Sequence, residues 1–168
     1  MKNFVKILVV SMLILAMTLS FASCNLFGLD LDKVEERLED EDYVVDTVTN
    51  EYYILVQLNT LFPYVELDSM PEEIFGATKS KEIRDDKFSV EMFYAMKFES
   101  KDAAKEAYAI LEPELEYFVE EYNENADTNN LEKKDFTWKR DGDIVYFGTV
   151  DAVKTALGMP FSLLVFAK

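Results

Sequence analysis

Apolar and polar positions change period several times along this chain, and each change marks an element. Leu31, Val34 and Leu38 fall at i, i+3 and i+7 with Glu35, Glu36 and Glu39 between them, the pattern of an amphipathic helix with an acidic outer face. Asp32 stands where it can cap that helix, with Glu35 three residues on as in a capping box, and the pattern runs out near Asp42. Tyr43 to Thr49, rich in Val, Tyr and Thr, reads as a strand. In Glu51 to Phe62, the residues Ile54, Leu55, Leu58, Leu61 and Phe62 keep helical spacing, Asn50 can cap and Pro63 stops the run. A helix is the preferred reading there, and a buried strand is its rival. Pro71 to Lys81 reads as a short helical turn followed by a strand, and Arg84-Asp85-Asp86-Lys87 as a turn.

Phe88 to Phe98 is the clearest strand. Val90, Met92, Tyr94, Met96 and Phe98 share one face by period two, and Phe93 with Ala95 makes the other face apolar as well, which predicts a central position. Ser100 caps the next helix, with Asp102 in its first turn. Its stripe is Ala104, Ala107, Tyr108, Leu111, Leu115, Phe118, Val119 and Tyr122, and Pro113 is expected to kink or restart it. This aromatic stripe reads as core, not as a cofactor box. From Phe136 to Thr149, Asp141-Gly142 separates two alternating runs and predicts a hairpin with a two-residue turn. That turn sets Arg140 opposite Asp143, Trp138 opposite Val145 and Phe136 opposite Phe147. Thr149 caps a short helix carrying Val150, Val153 and Leu157, which Gly158 ends and Pro160 cannot extend. Phe161 to Ala167 is apolar and reads as a last strand or as a tail on the body. The order contains no series of parallel crossovers. A single α+β domain, with an antiparallel sheet of about 4–6 strands and helices packed on it, fits best.

The first 30 residues do not belong to that domain pattern. Lys2 and Lys6 begin the chain, Ile7 to Leu19 is almost wholly apolar, and Ser20, Ala22 and Ser23 precede Cys24. A charged start, an apolar middle and small residues at a cut site make the layout of a secretory signal. Phe21-Ala22-Ser23-Cys24 resembles the lipobox of bacterial lipoproteins, with Phe21 where Leu is usual. The resemblance implies cleavage between Ser23 and Cys24, a diacylglyceryl group on the Cys24 thiol, and a body held on the extracytoplasmic face of the cell membrane. It divides the chain into a signal peptide at 1–23, a short tether at 24–30 and an acidic domain at 31–168. An uncleaved anchor is one alternative, because Ile7 to Leu29 carries no charge and about 20 apolar residues span a bilayer. A secreted protein with a free Cys24 is another. The domain also loosely resembles small, uncharacterised α+β lipoproteins of Gram-positive bacteria, through Ser100-Lys101-Asp102-Ala103-Ala104, Arg140-Asp141-Gly142-Asp143 and Tyr146-Phe147-Gly148-Thr149. That resemblance brings no activity with it.

Charge and missing residues narrow the function. The 168 residues hold 17 Lys and Arg against 33 Asp and Glu, a net charge of −16. Removing 1–23 takes two lysines and no acid, leaving 15 bases against 33 acids, or −18. Such a body does not bind nucleic acid through phosphates. Its acidity reads first as solubility, and second as a match for a basic protein or peptide partner. The chain has no histidine and one cysteine. Ser-His-Asp and Cys-His catalysis, His/Cys zinc sites and an internal disulfide are therefore impossible once Cys24 is acylated. Asn123 to Asn130 has oxygen ligands at calcium-loop spacing, but Thr128 replaces the required Gly and Lys134 the bidentate Glu, so it reads as a solvated loop. Asp40-Glu41-Asp42 and Asp85-Asp86 read as exposed turns. With five glycines and no phosphate-binding motif, no catalytic residue, cofactor or metal is assigned. A non-catalytic binding or accessory module is the leading expectation. A carboxylate enzyme of the cell envelope and a small solute-binding lipoprotein are the alternatives.

Overall fold

In a computed structural model, which describes residues 29–159 apart from position 85, the chain folds as one α+β domain. The elements are α1 (Leu31–Asp40), β1 (Val44–Val48), α2 (Glu51–Leu61), β2 (Glu73–Arg84), β3 (Lys87–Lys97), α3 (Lys101–Asn125), β4 (Phe136–Asp141), β5 (Ile144–Thr149) and α4 (Val150–Leu157). The five strands form an antiparallel sheet in the order β1-β2-β3-β5-β4. Strand β5 therefore lies between β3 and β4, and α3 carries the chain past β5 to the far edge.

Helices cover both faces of the sheet. On one side α2 and α3 bring Ile54, Leu58, Leu111 and Leu115 against Ile74, Met96, Val145 and Phe147. On the other, α1 and α4 bring Val34, Leu38 and Val153 against Phe75, Phe93, Ala95 and Tyr146. The two central strands are apolar on both faces for this reason. All six residues of β5 are buried, and Phe93, Ala95 and Met96 of β3 are fully so. Rings join across the strands: Tyr94 stacks on Phe147 with centroids 5.3 Å apart, and Phe93 on Tyr146 at 6.0 Å.

Several local expectations need correction. Asp30, not Asp32, occupies the cap position of α1, and its carboxylate binds Lys33 at 2.9 Å instead of capping. Hydrogen bonding from Lys33 holds the Asp30 carboxyl below its ordinary range. Pro71 to Lys81 contains no helical turn. Glu72 N–H donates to the Lys97 carbonyl at 2.8 Å, which draws the segment directly into the β2–β3 ladder. Helix α2 forms on its Asn50 cap, whose side chain accepts from Tyr52 N at 3.1 Å, but Leu55 faces solvent and only Ile54 and Leu58 are buried within it. Helix α3 runs through Pro113 without restarting and continues to Asn125, so Asn123 and Asn125 are helical and not part of a loop.

The hairpin differs by two residues. Asp141 pairs with Ile144, Trp138 with Phe147 and Phe136 with Thr149, so Gly142-Asp143 is the turn and not Asp141-Gly142. Among the turn residues only Gly142 has positive φ, at 63°, the pattern of a turn with Gly first. Arg140 Nη1 donates to the Gly142 carbonyl at 2.9 Å and holds the turn shut. A slip of two keeps every side chain on its face, whereas a slip of one would invert the strand. The expected segregation of aromatics therefore survives the altered register.

Gly148 sits opposite Phe93 in the β3–β5 ladder. A Cβ there would lie 2.3 Å from the Met92 carbonyl oxygen and 3.0 Å from Phe93 Cα, both backbone atoms that cannot swing aside. We expect Gly148→Ala to cost about 3 kcal/mol or more, since overpacking is relieved here only by moving a central strand. Urea denaturation checks this, and a loss below about 1 kcal/mol would show that the two strands can separate cheaply.

Candidate functional site

Two features of the described residues go beyond a packed core. The first is a cluster of charges partly withdrawn from solvent. Glu91 and Lys134 side chains are 17% and 16% exposed and form an ion pair. Lys134 also binds Glu132 at 2.9 Å, and the Thr149 hydroxyl donates to Glu91 Oε2 while accepting from Met92 N at 3.2 Å. Thr149 thus occupies the cap position of α4 without capping it with its side chain, contrary to expectation, because the Glu91 carboxylate claims the hydroxyl. The Lys134 backbone is held in turn by Asn123, whose side chain donates to the Lys134 carbonyl and accepts from its N–H, each at 2.9 Å. Asn123 is a latch for this segment and not part of a solvated loop.

Burial alone would lower the Lys134 pKa, but its hydrogen bonds to Glu91 and Glu132 outweigh burial and raise it. Lys134 holds the Glu132 carboxyl below its ordinary range. The cluster lines a recess of about 280 Å³ together with Asp135, Asp151 and Lys154. Acids and bases alternate in it, and both oxygens of Glu91 are engaged. Neither an idle general base nor a one-signed binding site results. Its chemistry is structural: it ties the chain before β4 to β3 and to the β5–α4 junction.

The second feature is the face made by β1 and α2. Tyr52, Tyr53, Leu55 and Val56 are exposed along α2, Tyr64 just beyond it is 93% exposed, and Val44 on β1 is 74% exposed. Tyr52 and Tyr53 rest edge to face at 5.5 Å. A groove of about 410 Å³ runs between the strand and the helix, past Asp46, Thr49, Tyr53, Val56 and Gln57. Behind it a smaller recess of about 170 Å³ reaches Ile74, Gly76 and Tyr94. Gly76 allows this depth: a Cβ there would stand 2.9 Å from the Tyr94 ring, which lies across β2. Burial raises the Tyr94 pKa.

Helical spacing within α2 marks the residues it buries and so does not mark this face, but the charge pattern does. Between Arg37 and Lys79 the chain has ten acids and no Lys or Arg, and that stretch supplies β1, α2 and their loops. The residues singled out for chemistry, Ser23 and Cys24, lie outside the described residues. Among the described residues no three or more acids gather as a metal site, and no helix is long and apolar enough to cross a membrane.

Glu91→Gln should cost about 1–3 kcal/mol, because it leaves Lys134 partly buried with a weakened partner, while Glu132→Gln at the more exposed rim should cost under about 0.5 kcal/mol. Equal thermal melting of the two variants would refute the ranking. A second test uses pH. Tyr43 is pushed up to about 12 by burial and then by Glu91 and Asp151, and Tyr146 to about 12 by burial and then by Asp141. With Lys134 also raised, the fold holds these protons more tightly than the unfolded chain does. The stability these protons contribute is therefore fully present below about pH 10 and is lost between 10 and about 12, by on the order of 1 kcal/mol per pH unit for each tyrosine. Melting curves and tyrosinate absorbance across pH 9–12 check this, and tyrosines all titrating near 10 with unchanged melting would contradict it.

Comparison of the chain with protein-family models, with curated proteins and with solved structures returns no match.

Proposed function

We propose that the chain is the precursor of a lipid-anchored extracytoplasmic protein whose acidic α+β body is a non-catalytic binding or accessory module of the cell envelope. One observation carries this reading: a charged start, an apolar run and small residues all converge on the only cysteine, Cys24. A diacylglyceryl group supplies two acyl chains, enough for stable attachment where one chain is marginal. The body needs no basic patch to help it, which accords with its charge.

Leu29 packs beside the α1–α4 core. That leaves Asn25 to Gly28 between the lipidated residue and the body, about 13 Å when extended. Repulsion from an anionic surface decays over about 8 Å at physiological salt. A body with 33 acids then stands just beyond that repulsion and stays close to the membrane. Its acidity and the exposed tyrosines of α2 favour a protein partner bearing basic residues. The absence of histidine and the self-satisfied Glu91–Lys134 pair leave little for catalysis.

The mass of the N-terminal peptide from membrane-extracted protein is the test. A diacylglycerol adduct on Cys24, lost in Cys24→Ser, is the expected result. An intact Met1, or cleavage with an unmodified Cys24, would overturn the anchor.

A further inference from the structure

We infer that the outer edge of β1 and the groove beside α2 receive an extended cationic segment of a partner protein as an added strand. This deepens the binding-module reading and rests on it, but does not depend on the lipid.

The two sheet edges are built differently. β4 ends in Lys139, Arg140 and Asp141, and α3 packs over one of its faces. Charge and cover of this kind are how sheets blunt an edge. β1 reads Val44-Val45-Asp46-Thr47-Val48, with no Lys, no Pro and no bulge in its pairing with β2. Among the described residues it has a strand on one side only, so its outward N–H and C=O groups stand ready for a further strand. Hydrogen bonding of an extended peptide to such an edge supplies affinity, and pockets for alternate side chains supply specificity.

The groove supplies those pockets. Every second side chain of a strand laid along β1 falls on the α2 side, against Val44, Tyr53 and Val56. Asp46 projects into the same groove and gives a cation its partner. The choice of occupant follows from charge. The stretch between Arg37 and Lys79, which supplies β1 and α2, holds ten acids and no base, and Asp46 is the acid that lines the groove, so the charge there steers cationic segments toward it and repels a second copy of this acidic chain. An anionic membrane surface is repelled by the same charge.

The test uses the full chain in detergent micelles and a labelled ten-residue peptide of alternating Lys and Val. Fluorescence anisotropy should show saturable one-to-one binding. Asp46→Lys and Val56→Lys alter exposed positions and should each weaken binding about tenfold or more with melting unchanged. Replacing each Val of the peptide by Pro removes the donors needed for a ladder and should weaken binding by a similar factor. Glu120→Lys, on the exposed side of α3, should change it less than about twofold. Amide exchange over Val44–Val48 should slow when the peptide is added. The proposal falls if Glu120→Lys is as damaging as Asp46→Lys, or if protection appears elsewhere. It also falls if the β1 amides are already protected in the free chain and are released by deleting residues 160–168 or by dilution, because the chain's own tail or a second copy then fills the edge. Loss of peptide binding with Cys24 still acylated would sink this inference alone, and the reverse result would sink only the anchor.

Discussion

The contact between β3 and β5 is the constraint on which the rest of the domain is arranged. Both strands are apolar on both faces, so neither can sit at an edge or leave one side bare. They require a layer of helix above and below, and α1, α2, α3 and α4 supply it in two pairs. Gly148 lets the β5 backbone lie against Met92 and Phe93 with no side chain between them. The stacked pairs Tyr94–Phe147 and Phe93–Tyr146 then continue the same seam outward into each core.

That seam has an awkward end. Thr149 is where β5 stops and α4 starts, and it is buried. Its hydroxyl cannot serve water, and it binds the backbone of Met92 and the carboxylate of Glu91. Glu91 in turn requires a cation, which Lys134 brings from the segment before β4. Asn123 holds that segment to the end of α3. One strand terminus thereby organises three separate stretches of chain, and the partly buried Glu91–Lys134 pair acts as a fastening between them.

At the β1 edge the fastening is lighter: Lys79 Nζ donates to the Glu41 carbonyl and lies over the Tyr43 ring. β1 is short and joins the body through β2, and α2 buries only two residues of its own eleven. Exposed tyrosines and aliphatic side chains gather there beside Asp46. A buried half built on β3 and β5 thus stands beside a more exposed half built on β1 and α2.

Local order was legible in the sequence wherever one local rule had no competitor. Ser100 caps α3, Asn50 caps α2, Gly158 closes α4 at φ 62°, and the two-sided run of β3 marks it as central. The α+β class followed from the order of those elements, and the exclusion of histidine chemistry followed from composition alone. Tertiary structure decided whatever depended on a partner distant in the chain. β5 rather than β4 lies beside β3 because only β5 is apolar on both faces, a comparison that no single hairpin reveals. The turn moved to Gly142-Asp143 because a two-residue slip leaves the faces intact, so hydrophobic pattern cannot tell the two registers apart. Thr149 gave up its capping bond, and Asn123 its loop, to residues 58 and 11 positions away. Periodicity says which side of an element is apolar; only packing says what lies against it, and which apolar side is left uncovered.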